Sequence, residues 1–218
     1  MTFSAIIPML LDIVSIGLGF IVFYVFSNLG KDQKINLIRE TLSQIINFVL
    51  FIWLSKSLLN LSLLFRDPLA MLAYPSGSKA FYLALLFSAC LIFYSHRKGR
   101  IDGWPFVESL WFTLLPAAFF YEFIRLIWSG DIYAFGGIIL YGIMLITFLG
   151  MGEKIPQLVA SSILIALWTS GMMLGVLTQT YPTTFGYVIE PWFIFLFFTI
   201  SQTMIYLNYK RRDTHECY

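Results

Sequence analysis

Long apolar stretches alternate with short polar stretches along this chain of 218 residues. A helix of about 20 apolar residues is long enough to cross the hydrocarbon core of a bilayer. Reading each apolar stretch to its polar ends predicts seven transmembrane helices, at residues 5–27, 42–64, 80–94, 109–128, 132–151, 155–177 and 187–209. The pattern therefore predicts an all-α, multi-pass membrane protein that forms one domain over residues 1–218.

The composition supports a membrane location. Only 12% of the residues are charged and 59% are hydrophobic, whereas a soluble domain has about 25% charged and 45–50% apolar residues. The net charge of +2 is too small to favour a nucleic-acid partner. The aromatic content of 18% suits a lipid-facing surface with belts of aromatic residues at both interfaces.

The distribution of basic residues predicts the orientation. If the N-terminus lies outside, the cytoplasmic segments are 28–41, 95–108, the turn at Lys154 and the tail after residue 209, and they hold ten of the 14 lysines and arginines. The outer segments 65–79, 129–131 and 178–186 hold only Arg66 and Lys79. The positive-inside rule therefore predicts an outside N-terminus and a cytoplasmic C-terminus.

Glycines are concentrated in two of the predicted spans. Gly171 and Gly175 form a small-xxx-small pair in the sixth span, and Gly136, Gly137 and Gly142 lie in the fifth. Small residues let the backbones of membrane helices approach closely. We therefore expect these glycines to mark close helix contacts rather than chemistry.

Four ionisable residues fall inside predicted spans: Asp12, Lys56, Glu122 and Arg125. Such residues usually mark a functional site or a buried pair, because an unpaired charge in a bilayer is costly. One interpretation is two structural ion pairs, Glu122 with Arg125 and Asp12 with Lys56. The other is that Lys56 and Arg125 converge in the outer leaflet and bind a lipid phosphate.

Metal, redox and cofactor chemistry are not predicted. Cys90 and Cys217 lack the paired spacing of a zinc site, and His96 and His215 lie in polar segments. The sequence motifs of nucleophile elbows, phosphate-binding loops and zinc proteases are absent. Hydrolase and ATPase functions are therefore unsupported.

Several short segments resemble the motifs of one enzyme family. Residues 67–73 read D-P-L-A-M-L-A, residues 95–100 read S-H-R-K-G-R, followed by W-P-F and L-P-A, and residues 123–131 read F-I-R-L-I-W-S-G-D. They are similar, in order, to the N-P-L-E-I-L-A segment, the basic loop with its membrane re-entry and D-L-x-A-P-A helix, and the G-R-I-G-N-F-x-N-G-E motif of the bacterial prolipoprotein diacylglyceryl transferases. The resemblance covers most of the chain in patches.

This resemblance implies a function in the outer half of the plasma membrane. The family transfers a diacylglyceryl group from phosphatidylglycerol to the thiol of a lipobox cysteine in a preprolipoprotein, without a soluble cofactor. It implies catalytic roles for Arg125, Glu122 and Asp131, and a lipid-headgroup site formed by Lys56, Arg125 and Tyr82. Arg125 and Lys56 would stabilise the glycerol phosphate leaving group, while Glu122, Asp131 or Tyr82 would assist the thiol.

The chain also departs from the family. Phe81-Tyr82-Leu83-Ala84 stands in place of H-G-G-L, the sixth helix lacks the family's arginine and glutamate, and the asparagine of the arginine motif is missing. Losing one transition-state donor typically costs a factor of 10²–10³ in rate. Two functions therefore remain open, a divergent transferase and a catalytically inactive lipid-binding, immunity or assembly partner. A small transporter is least favoured, because no internal repeat is visible.

Overall fold

A computed structural model describes residues 3–67, 76–152, 155–178 and 182–216. In these ranges the chain forms seven long helices, one short helix and a small hairpin. The elements are α1 (Phe3–Phe26), α2 (Lys31–Leu59), α3 (Leu61–Arg66), α4 (Ser78–Arg97), α5 (Gly103–Ser129), α6 (Ala134–Met151), α7 (Gln157–Thr178), β1 (Thr183–Thr184), β2 (Tyr187–Val188) and α8 (Pro191–Glu216).

The predicted all-α, multi-pass architecture is confirmed in its coarse form. Among the described residues, five helices are long and apolar enough to cross a membrane: α2, α4, α5, α6 and α7. The segment Leu10–Phe26 of α1 is apolar but shorter. Each of the seven predicted spans coincides in most of its length with one long helix.

Several predicted helix ends differ from the structure, and two of them have a clear physical reason. The segment 28–41 was predicted as a connection, but α2 already begins at Lys31. Its polar residues favour a helix intrinsically, and Leu37 and Thr41 are buried on one side of it. The last helix begins at Pro191 rather than at residue 187, because the preceding residues form the hairpin and proline suits the first turn of a helix.

The outward faces of the helices are apolar. On α6, Phe135, Ile139, Ile143 and Ile146 are each about half exposed or more, and they recur every three or four residues. A soluble protein would place polar residues on such a face, since large exposed apolar patches mark contact surfaces. This inversion fits contact with lipid and supports a membrane location.

The described residues cluster into two compact units. The first comprises Met1–Val25 and Phe112–Tyr218, and the second comprises Phe26–Trp111. In the second unit α2 packs against α4, with edge-to-face ring contacts between Phe48 and Phe81. The hydroxyls of Thr41 and Ser109 are hydrogen bonded at 2.8 Å there.

The first unit combines α1, the part of α5 from Phe112 onward, α6, α7, the hairpin and α8. The sequential helices α6, α7 and α8 pack side by side. The Ser162 hydroxyl donates a 2.7 Å hydrogen bond to Gln202 Oε1, which ties α7 to α8. The candidate site lies entirely within this unit.

Candidate functional site

The guanidinium of Arg125 is the centre of an ionic cluster near the end of α5. Its Nη2 lies 2.9 Å from Asp131 Oδ2, and its Nη1 lies 3.2 Å from Glu122 Oε2. Nε donates a further bond to Asp131 Oδ2, and Nη1 donates to Thr183 Oγ1 at 2.8 Å. The guanidinium of Arg125 is therefore bound by two carboxylates and one hydroxyl.

The helical spacing explains half of this cluster. Glu122 and Arg125 are three residues apart and so lie on one face of α5. The other carboxylate comes from beyond the helix end, where Gly130 has a φ of +62° and turns the chain back. Asp131 Oδ1 then accepts the backbone N–H of Tyr133, which fixes the carboxylate at the start of α6.

The hairpin β1–β2 packs over this cluster. Thr183 binds Arg125, and the hydroxyl of the next residue, Thr184, lies 3.2 Å from the hydroxyl of Tyr141 on α6. At the turn, Phe185 contacts the Tyr121 ring with centroids 5.4 Å apart. The structure thus fixes the connection between α7 and α8 to both α5 and α6.

A groove of about 300 Å³ runs beside the cluster between α6 and α7, and we call it the α6–α7 groove. Its walls are two helix faces with residues three or four apart, Gly136, Ile139, Leu140 and Ile143 on α6 and Gly171, Leu174, Gly175 and Thr178 on α7. Glu122 and Thr183 also line it. The groove therefore combines mainly apolar walls with one buried carboxylate and several hydroxyls.

Two of the glycines lie at close contacts between helices, as the sequence predicted. A Cβ on Gly137 would lie 2.7 Å from Glu122 Cγ, and one on Gly171 would lie 2.2 Å from Leu140 Cδ1. Real Cβ atoms do not approach other atoms that closely. The expected close helix contacts are confirmed at these two positions. At Gly137, the missing side chain leaves the space that the Glu122 side chain occupies.

The structure brings three of the predicted site residues together. Glu122, Arg125 and Asp131 form the cluster, so the predicted Glu122–Arg125 ion pair is present. Lys56, which is buried, and Tyr82, which is half-buried, belong to the other compact unit. A shared phosphate site of Lys56 and Arg125 therefore stays a prediction.

The described residues do not test two further sequence predictions, the Asp12–Lys56 ion pair and the family-like segment 67–73. Asp12, on α1, leaves its Oδ1 without a hydrogen bond among the described residues, and its pairing with Lys56 stays a prediction. Of the family-like segment 67–73, only Asp67 lies within the described residues.

Sequence reasoning missed the residues that complete the site. Thr183, Thr184 and Tyr141 hold the hairpin on the cluster, yet isolated threonines and a tyrosine carry no pattern of their own. The glycine pair at 136–137 was the one available signal, since it predicted a close approach without naming the partner. Only the packing of α6 on α5 identifies Glu122 as that partner.

The arrangement limits the chemistry of Arg125. Two carboxylates and a hydroxyl already occupy most of its donors, and the cluster holds two potential negative charges against one positive charge. An arginine that binds phosphate normally offers a free pair of parallel N–H groups. Arg125 therefore acts here mainly as a structural counter-ion to Glu122 and Asp131.

Among the described residues, no group of three or more His, Cys, Asp and Glu side chains is placed to hold a metal ion. No protein-family model, curated protein or solved structure matches the chain. The similarity to the diacylglyceryl transferases therefore remains a resemblance of short motifs.

Proposed function

We propose that this protein is a multi-pass membrane protein that binds a phospholipid in the α6–α7 groove and does not transfer the lipid's acyl-bearing group. The observation that carries the proposal is the groove itself, whose mainly apolar walls include Glu122 of the ionic cluster. A phospholipid has matching parts, since its apolar chains are joined to a polar head. Pockets that combine apolar walls with a few polar groups are typical ligand sites.

The geometry supports binding over catalysis. In a transferase of the resembled type a free cation would stabilise the departing glycerol phosphate, but the donors of Arg125 are engaged by protein groups. No histidine, cysteine or lysine is among the residues that line the described groove. The chain also lacks the histidine of the family's H-G-G-L motif.

Filling the groove should strongly reduce lipid retention. Gly175 lines the groove, and a Cβ there would meet only Pro182 Cβ, at 3.3 Å. We expect Gly175→Leu to place a branched side chain in the groove and to reduce the lipid retained after detergent extraction by about tenfold, as counted by native mass spectrometry. Gly150→Leu is the matched control, because Gly150 lies on an exposed face of α6 with nothing within 4 Å of a Cβ.

Equal retention in the wild type and in Gly175→Leu would contradict lipid binding in this groove. A turnover assay separates binding from transfer: the protein is incubated with labelled phosphatidylglycerol and a lipobox peptide. We expect no release of glycerol phosphate. Release that Arg125→Ala abolishes would instead establish the divergent transferase and overturn the proposed binding role.

The proposed orientation places the cluster and the hairpin in the outer half of the plasma membrane. In a Cys90→Ser background, Cys217 in the tail should react with an impermeant maleimide only after right-side-out vesicles are opened. In the same background with Cys217→Ser, a cysteine introduced by Ser129→Cys should react in intact vesicles, because Ser129 is exposed at the end of α5. The reverse labelling pattern would overturn the orientation and place the site on the cytoplasmic side.

A further inference from the structure

An unused hydrogen-bond acceptor lies on the floor of the α6–α7 groove. Glu122 is 2% exposed, and its Oε2 accepts no hydrogen bond among the described residues. Arg125 Nη1 forms an ion pair with that oxygen at 3.2 Å, but its two N–H groups donate to Thr183 Oγ1 and to Glu122 Oε1. A buried carboxylate oxygen that accepts no hydrogen bond is costly, so a ligand in the groove that donates a hydrogen bond to Oε2 would add to the ion pair with Arg125.

The charges around Glu122 indicate the kind of donor. The cluster contains Glu122 and Asp131 against Arg125 alone, and with both carboxylates ionised its sum is one negative charge. A cationic donor completes this balance, whereas an anionic group would meet repulsion that is strong in a medium of low dielectric. Hydrogen bonds between an ammonium and a carboxylate are also stronger than those between neutral groups.

The walls of the groove indicate what carries this cation. Leu140 and Ile143 on α6 face Leu174 on α7 along the groove, and the rim residues Ile143 and Leu174 are at least half exposed. In a membrane-spanning chain such a rim opens toward lipid, so an acyl chain can lie along it. The polar groups that line the same groove include the Glu122 carboxylate and the Thr183 hydroxyl, which a headgroup can contact.

We infer that the α6–α7 groove selects a phospholipid with a primary ammonium headgroup, the ammonium donating to Glu122 Oε2 and an acyl chain lying against Leu140, Ile143 and Leu174. This inference rests on the proposed lipid binding and specifies its ligand. The resemblance to diacylglyceryl transferases implies phosphatidylglycerol instead, which has the same anionic phosphate but ends in a neutral glycerol where the proposed lipid has an ammonium. The two proposals therefore predict opposite headgroup preferences at the same site.

A competition between the two headgroups tests the inference. The delipidated protein is equilibrated with phosphatidylcholine vesicles that contain equal amounts of phosphatidylethanolamine and phosphatidylglycerol. The retained lipids are then counted by native mass spectrometry. We expect the wild type to retain phosphatidylethanolamine about tenfold in preference, as one charge-assisted hydrogen bond provides. Glu122→Gln keeps the shape of the side chain and should bring this ratio close to one.

The control is Glu190→Gln, which removes an exposed carboxylate at the start of α8 and should leave the ratio unchanged. Retention of lipid with no headgroup preference, or a preference that Glu122→Gln leaves intact, would overturn the inference while lipid binding stands. A preference for phosphatidylglycerol would also overturn it. Absence of retained lipid in the wild type would instead contradict the proposed function itself.

Discussion

Arg125→Leu should be the most destabilising change in the ionic cluster. The substitution removes the guanidinium that neutralises the carboxylates of Glu122 and Asp131, so the two negative charges repel each other. It also removes the hydrogen bond from Arg125 to Thr183 on the hairpin. Removing one partner of a buried pair costs about 3 kcal/mol or more, because the remaining charge is neither solvated nor paired. We expect a loss of that size in the free energy of unfolding in detergent, seen as a lower temperature of helix loss by circular dichroism.

The other members of the cluster provide the control. Glu122→Gln should cost far less, about 1 kcal/mol, because Arg125 keeps Asp131 and Thr183 as partners. Combining Arg125→Leu with Glu122→Gln should recover part of the stability lost in the single Arg125 variant, since the buried charge is then gone. Equal losses for Arg125→Leu and Glu122→Gln, with no recovery in the double variant, would show that Arg125 is not the centre of the cluster.

Gly19→Ala should destabilise the packing of α1 on α5 by about 3 kcal/mol, although it adds a single methyl group. A Cβ at this position would lie 2.2 Å from the backbone oxygen of Thr113 and 3.2 Å from Ala117 Cβ. A backbone carbonyl within a helix cannot rotate away, so the two helices must separate. Overpacking of this kind costs about 1–3 kcal/mol or more. Thermal unfolding in detergent again measures the change.

Gly17 is the matched control for Gly19. It lies two residues earlier on the same helix, and nothing lies within 4 Å of a Cβ there. Gly17→Ala should leave the stability unchanged or raise it by up to about 1 kcal/mol, because alanine favours a helix more than glycine does. The two substitutions thus have opposite expected signs, and similar effects at both positions would contradict the close approach of α1 and α5.

The helices were largely predictable, and their ends were less so. Apolar runs locate long helices because a bilayer-spanning segment must satisfy its backbone internally, and five such helices are present among the described residues. The start of α2 at Lys31 was missed because a reading of apolar runs stops at polar residues that still favour a helix. The hairpin at residues 183–188 was missed because strands of two residues have no periodicity.

The candidate site was predictable only in part. The three-residue spacing of Glu122 and Arg125 predicted their ion pair, because residues at that spacing share a helix face. The sequence also placed Asp131 just beyond the same helix. It did not predict that Asp131 and Thr183 would occupy the donors of Arg125, and the lipid-phosphate interpretation depended on those donors being free.

The sequence by itself determined the class of this protein, because the cost of burying polar groups in lipid acts on each residue separately and is visible in the order of the residues. It also predicted a Glu122–Arg125 pair as one of two interpretations, since one helix carries both residues, and the structure contains this pair. The tertiary structure decided what this pair can do. Thr183 comes from a connection 58 residues away in sequence, and Glu122 lines the groove where Gly137 lets α6 approach α5.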